Sequence, residues 1–192
     1  MDAFLQLWGG LFYLLNKIFL SQAEGKNKET QRKGRIAGWA MYLIGLPAWT
    51  IILIEQRNWM ITAIEVGGAP AMFLGLAIAL QGRENINPFF ERLVGLSVYF
   101  LLVVGVSYSL YDYGGITAIS QVFEIGTITG FLMGTYMLAR ERRSGWAWFA
   151  LMNIATGMLM LHEGKEYLAL QQALSLCFVV LGFNRSKNQK GE

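Results

Sequence analysis

Four polar side chains lie inside long apolar stretches of the sequence: Glu65, Glu124, Asn153 and Gln172. An acid within such a stretch is costly unless it faces an internal cavity, and it then usually marks a path for a solute or a proton. The two amides have a second interpretation as hydrogen bonds between helices, worth under about 2 kcal/mol each. The two acids also have a second interpretation, as partners of a neighbouring tyrosine. These residue types indicate binding by hydrogen bonds and charge.

Two short patterns bring other side chains to these groups. Trp146, Phe149 and Asn153 follow at i, i+3 and i+7, which places them on one face of a helix. Glu124 and Thr127 are one turn apart on the preceding segment. We therefore predict that Asn153 lies in a central cavity with both rings, one helix away from Glu124 and Thr127. Trp146 also has a plain interpretation as an anchor at the membrane interface.

Other residue types predict no chemistry. Cys177 and His162 are each the only residue of their kind, so the sequence predicts neither a disulfide within the chain nor a metal site. Trp8 and Trp49 lie near the ends of apolar segments and are interpreted as interfacial anchors. The patterns GxxxxGK[ST], HExxH and GxSxG do not occur. We therefore expect no cofactor, no metal and no enzymatic activity.

The segments that carry these residues read as membrane-spanning helices. Of the 192 residues, 54% are hydrophobic and 15% are charged, whereas soluble domains have about a quarter charged residues. About 20 apolar residues cross a bilayer as a helix, and the sequence contains seven apolar runs of about this length. The amino terminus has no basic region before its apolar run and is interpreted as the first permanent span. The sequence predicts an all-α integral membrane protein with one membrane domain over 1–192 and spans near 3–21, 37–54, 59–80, 89–110, 116–139, 145–161 and 166–183.

The basic residues predict the orientation, because lysine and arginine mark cytoplasmic loops. The connections after spans 1, 3, 5 and 7 carry 13 of them, and the other connections carry 2, with Lys17 inside span 1 left out of the count. The N-terminus is therefore expected outside and the C-terminus inside. Basic loops also suit lipid headgroups, so the positive charge does not predict a nucleic-acid partner. The 13 are Lys26, Lys28, Arg32, Lys33, Arg35, Arg83, Arg92, Arg140, Arg142, Arg143, Arg185, Lys187 and Lys190; the 2 are Arg57 and Lys165.

A displacement of 107 residues brings the two halves of the chain into register. It predicts one three-helix unit over about 3–80, a connecting helix over about 89–110 and a second unit over about 116–183. Two three-helix units joined directly would be inverted relative to each other. One connecting helix adds a further membrane crossing and returns the second unit to the orientation of the first. The repeats are therefore expected to be parallel, with the solute site between them. Trp39 and Glu65 then join the predicted site residues. The paired positions are Arg35 with Arg142, Gly38 with Gly145, Trp39 with Trp146, Tyr42 with Phe149, Glu65 with Gln172, and Gly75 with Gly182.

Small residues form stripes on spans 3 and 5. Such stripes let helices approach closely in lipid, and we interpret them as packing seams within one chain. The stripes are Gly67, Ala71, Gly75 and Ala79 on span 3, and Gly126, Gly130 and Gly134 on span 5.

The second half, FEIGTITGFLMGTYMLARERRSGWAWFALMN, resembles the PnuC family of bacterial B-vitamin transporters. That family has a carboxylate with a threonine three residues later, then TYL-AR, then a tryptophan-rich helix start followed by asparagine. Here Glu124 stands where the family usually has Asp, and Phe149 stands where the nicotinamide riboside carriers have a second tryptophan. The positions of the family's Trp, Gln and Gly in the first half hold Trp39, Glu65 and Gly75.

The resemblance implies a function. The family carries water-soluble vitamins inward by facilitated diffusion, trapped by phosphorylation inside the cell. It implies a carrier in the bacterial inner membrane, with nicotinamide riboside as the first substrate to test and thiamine, riboflavin or a deoxynucleoside next. It also implies a homo-oligomer such as a trimer. The alternatives are a sugar carrier of the SWEET type, which shares the three-plus-one-plus-three plan, and a small membrane sensor or assembly protein that transports nothing.

The expected binding mode follows from the chemistry of such vitamins. A flat ring with a polar arm suits aromatic faces and a few amide and carboxylate groups. Trp146 and Phe149 are expected to supply the faces, and Asn153, Gln172 and Glu124 the polar ends. A cationic ring would gain further from the aromatic faces and a nearby carboxylate.

Overall fold

The helical segments expected from the sequence are present. The computed structural model describes residues 3–55, 59–112, 114–162 and 164–187, and in these ranges the chain forms seven α-helices, one short 3-10 helix and no strand. Arg57 and Lys190 of the charge count lie outside the described residues. The α-helices are α1 Ala3–Ala23, α2 Lys28–Glu55, α3 Trp59–Gln81, α4 Pro88–Asp112, α5 Ile119–Ala139, α6 Ser144–His162 and α7 Glu166–Arg185.

Among the described residues, six helices, α2 to α7, are long and apolar enough to cross a membrane. The chain is therefore a multi-pass membrane protein by length and composition. Helix α1 is not one of the six, and it carries Gln6, Asn16 and Lys17. Its role as a seventh span stays a prediction.

Two helix ends differ from the expected spans, and a polar side chain binds a backbone N–H beside each of them. Helix α2 begins at Lys28 rather than near 37, and the Asn27 side chain accepts a hydrogen bond from the backbone N–H of Thr30 (2.9 Å). Helix α5 begins at Ile119 rather than near 116, and the Gln121 side chain accepts one from the backbone N–H of Thr117 (3.2 Å). Apolar periodicity does not report such hydrogen bonds, so the expected bounds were wrong at these two ends.

Six helices form a closed ring. Each of α1, α2, α3, α5, α6 and α7 contacts the next in this order, and α7 closes the ring against α1, where the Gln171 side chain donates to the Gly10 carbonyl (3.2 Å). Helix α4 contacts α3 and α5 from outside the ring. The first three and the last three helices thus make the same neighbour pairs. This order is compatible with the parallel repeat, which stays a prediction, as does the orientation in the membrane.

The glycine stripe of α5 is a packing seam, as predicted. A Cβ on Gly130 would lie 2.6 Å from the backbone nitrogen of Met152 on α6. One on Gly134 would meet the Phe149 ring, and one on Gly126 would lie 3.0 Å from the Ala155 Cβ. The absent side chains therefore let α5 and α6 approach to backbone contact. On α3, Gly67 packs against α4 and Gly75 against α2.

The basic connections lie together at one end of the ring, which we call the basic end. Arg35 forms ion pairs with Glu24 (3.0 Å) and with Glu141 in the α5–α6 connection. The Arg83 guanidinium donates to the Arg140 carbonyl (3.0 Å), which joins the α3–α4 and α5–α6 connections. The opposite end, which holds the start of α1, is called the N-terminal end.

Candidate solute-binding site

A cavity of about 220 Å³ lies between the six ring helices, in the half toward the N-terminal end. Each ring helix contributes to its wall, and none of the described residues that line it comes from α4. The wall is mostly apolar, which is usual for small-molecule sites, although the volume is below the common range of about 300–1,000 Å³. Its polar and ionisable lining residues include Gln6, Glu65, Glu124, Thr127, Lys165 and Gln172.

The structure brings four of the eight sequence-predicted site residues together in this wall: Glu65, Glu124, Thr127 and Gln172. They come from α3, α5 and α7. The Ser109 hydroxyl donates to Glu124 (3.3 Å), and the Thr127 hydroxyl is bonded to Thr156 across the α5–α6 seam (3.1 Å). Three separate stretches of sequence thus supply carboxylate, hydroxyl and amide groups to one space.

The two predicted tryptophans lie elsewhere. Trp39 and Trp146 are 2% and 1% exposed, and neither lines the cavity. Trp39 fills the space beside Gly75, and Trp146 fills the space beside Gly182, where a Cβ would lie 2.6 Å from the ring. The expected cavity position was wrong for both, because each indole packs into the groove that a glycine leaves on the next helix. The two Trp–Gly pairs are those that the 107-residue displacement aligns.

Phe149 and Asn153 share a face of α6 with Trp146, as the spacing requires, but this face is packed. Phe149 is fully buried and Asn153 is 2% exposed. The Asn153 amide donates to the Phe149 carbonyl (2.7 Å) and accepts from the Tyr13 hydroxyl (3.4 Å). Their expected position in the cavity is therefore corrected: Asn153 lies behind Tyr13, which itself lines the cavity.

Several lining residues were not predicted from the sequence. Tyr13, Tyr42 and Trp49 contribute aromatic surface, and Gln6 adds an amide. Trp49, interpreted above as an anchor, instead packs its indole against Gly9 of α1. The sequence offered one signal that α1 faces the cavity, namely the polar residues Gln6, Asn16 and Lys17 within this helix.

The residue that sequence reasoning left aside is Lys17. Its side chain is fully buried, and its ammonium lies 3.3 Å from the Phe149 ring centroid and 4.7 Å from those of Tyr13 and Tyr42. It donates a hydrogen bond to the Asn16 side chain (3.1 Å). We call the three rings the aromatic cage. Two of them, Tyr13 and Tyr42, also line the cavity, so the ammonium lies directly behind the cavity wall.

Among the described residues, the formal charges in the cavity wall and directly behind it cancel. Glu65 interacts electrostatically with Lys17 at the base, and Lys165 and Glu124 line the wall. With both acids ionised and both lysines protonated, these four groups sum to zero. Buried charges are stable in apolar surroundings only when they compensate one another in this way.

At the basic end, Arg35 forms ion pairs that join connections from both halves of the chain. Glu24 is 5% exposed, and Arg35 joins it to Glu141 in the other half of the molecule. Burial raises the pKa of Glu24 above its ordinary value, and the Arg35 guanidinium acts in the opposite direction. The two halves are therefore held together at this end.

No family model matches the sequence, and no curated protein or solved structure matched it either. The PnuC resemblance therefore stays an expectation from the quoted residues.

Proposed function

We propose that the protein is a membrane carrier for a small, water-soluble vitamin or nucleoside, moved by facilitated diffusion. The proposal rests on one observation: all six ring helices line a cavity that has aromatic surface and a few polar groups from several helices. Such a composition suits a flat ring with a polar arm.

Side-chain amides in the wall support a polar ligand in this space. Gln6 and Gln172 line the cavity from α1 and α7. Each amide has a hydrogen-bond donor and an acceptor, so a solute with hydrogen-bonding groups would find partners on two helices of the cavity wall.

The position of the cavity supports transport rather than binding alone. It lies toward the N-terminal end, and the ion pairs of Arg35 join the two halves at the basic end. Carriers with parallel repeats expose a central site to one side at a time. The proposed carrier would open the basic end when these pairs separate.

The test is a thermal-shift screen of the purified protein against nicotinamide riboside, thiamine, riboflavin, deoxynucleosides and glucose, followed by uptake of each hit into liposomes. A carrier binds a member of the vitamin or nucleoside set and equilibrates it across the bilayer. Binding without equilibration would support a sensor instead, and a response to glucose alone would support a sugar carrier.

Neighbouring glutamines on α7 provide a matched pair of variants. Gln172→Leu removes an amide that lines the cavity and should weaken binding of the hit about tenfold to a hundredfold. Gln171→Leu removes the bond to Gly10 instead, so it should lower stability and leave affinity nearly unchanged. Equal affinity losses in both variants would contradict binding in this cavity.

A further inference from the structure

We propose that the carrier takes a planar, nucleoside-sized solute without a positive charge on its ring, because Lys17 already occupies the aromatic cage. This inference rests on the proposed function and names its substrate class. It excludes permanently cationic rings as preferred substrates.

The first argument is occupancy. Three aromatic faces meet beside the cavity, and such a set of rings would otherwise be a binding site for an organic cation. The Lys17 ammonium already lies against all of them, closest to Phe149. Phe149 has no exposed surface left for a second ring. A cationic ligand ring must therefore bind elsewhere in the cavity, without the cage.

The second argument is charge. Among the described residues, the charged groups in the wall and in the cage behind it are the acids Glu65 and Glu124 and the lysines Lys17 and Lys165, so their formal charges leave no excess of negative charge to neutralise a cation. Asp112, near Glu124, lies on the exposed end of α4. A cation over Tyr13 or Tyr42 would face the ammonium from the other side of the same ring. A neutral ring meets no such repulsion and still gains the aromatic surface.

The third argument is the hydrogen-bond set. The side-chain amides of Gln6 and Gln172, which line the wall, each carry a donor and an acceptor. A ring with a carbonyl oxygen beside an N–H group offers the complementary acceptor and donor. Uncharged nucleobases and flavin-type rings have this pattern, and the volume of about 220 Å³ favours the smaller of them.

Two ligands of almost the same shape test whether the charge of the ring decides the preference. Nicotinamide riboside carries a pyridinium cation, and dihydronicotinamide riboside is the same molecule with one hydride added and a neutral ring. The wild-type protein in nanodiscs should bind the neutral form at least about tenfold more tightly, by calorimetry. Tighter or equal binding of the cation would overturn the proposal, and uptake of either form would leave the proposed carrier function standing.

Two variants test whether the charge of Lys17 causes the preference for the neutral ring. Lys17→Met keeps a long side chain in the cage but removes the charge, and it should reduce the preference for the neutral form about tenfold. Lys33→Met removes one charge at an exposed position and should leave the preference unchanged. An unchanged preference in Lys17→Met would contradict the role of Lys17.

If the Lys17→Met variant does not fold, the comparison of the two ligands in the wild-type protein decides. If neither riboside and no other member of the vitamin and nucleoside set binds or enters liposomes, the proposed function fails with the inference.

Discussion

Arg35 connects the two halves of the molecule through its ion pairs. It pairs with Glu24 and Glu141, and both Arg35 (11% exposed) and Glu24 (5% exposed) are largely withdrawn from water. Arg35→Gln leaves the Glu24 carboxylate without its ionic partner. We expect a loss of about 2 to 3 kcal/mol, below the 3–5 of a fully buried pair because Glu141 is partly exposed. Thermal unfolding in detergent measures this loss.

An exposed ion pair on the same helix is the control. Lys33 and Glu29 form a pair with both side chains at least 75% exposed. Lys33→Gln should change stability by less than about 0.5 kcal/mol. A loss in Lys33→Gln as large as in Arg35→Gln would show that the Arg35 contacts do not hold the basic end together.

The buried acid of this cluster predicts a pH dependence. Burial raises the folded-state pKa of Glu24 above its ordinary value of 4.5, so the folded protein keeps this proton to higher pH than the unfolded chain. Its contribution to stability is complete below the ordinary pKa and is lost as the pH rises through the folded-state pKa. Melting temperatures measured from pH 4.5 upward should fall less steeply in Glu24→Gln than in wild type. Parallel curves would refute the assignment.

At the scale of helices, the α5–α6 seam depends on the absence of one side chain. Gly130 contacts the backbone of Met152 and Trp148, and backbone atoms cannot rotate away. Gly130→Leu must therefore separate the helices, and overpacking of this kind costs about 1–3 kcal/mol or more. We expect a lower melting temperature and weaker solute binding, because Glu124 and Thr127 lie on the displaced helix.

A second helix glycine shows whether the position or the residue type matters. A Cβ on Gly157 would lie 3.5 Å from the nearest neighbouring atom, the Gln172 Cβ, which is ordinary contact. Gly157→Ala should be neutral or slightly stabilising, since alanine favours the helix. Greater damage from Gly157→Ala than from Gly130→Leu would contradict the seam.

At the scale of the whole molecule, the distribution of basic residues predicts how the ring lies in the membrane. The basic end should face the cytoplasm, and the cavity should then lie in the outer half. Reporters that are active on only one side of the membrane, fused after α7 and before α1, measure this. An external C-terminus would reverse the orientation and place the cavity toward the cytoplasm.

The sequence by itself determined the helices, the basic end and the glycine seam of α5. Apolar length predicts a membrane helix because the bilayer core has a fixed thickness. Glycines at four-residue spacing predict a seam because they remove bulk from one helix face. Glu65, Glu124, Thr127 and Gln172 were also predicted as polar groups facing a cavity, because polar groups in apolar helices avoid lipid.

Only the tertiary structure decided which aromatic side chains face the cavity. Helices that are apolar on all sides carry little signal for their rotation. Contacts with distant helices therefore direct Trp146 toward Gly182, Trp49 toward the cavity, and Lys17 toward Phe149. These partners are far apart in sequence, and their meeting depends on how six helices close into a ring.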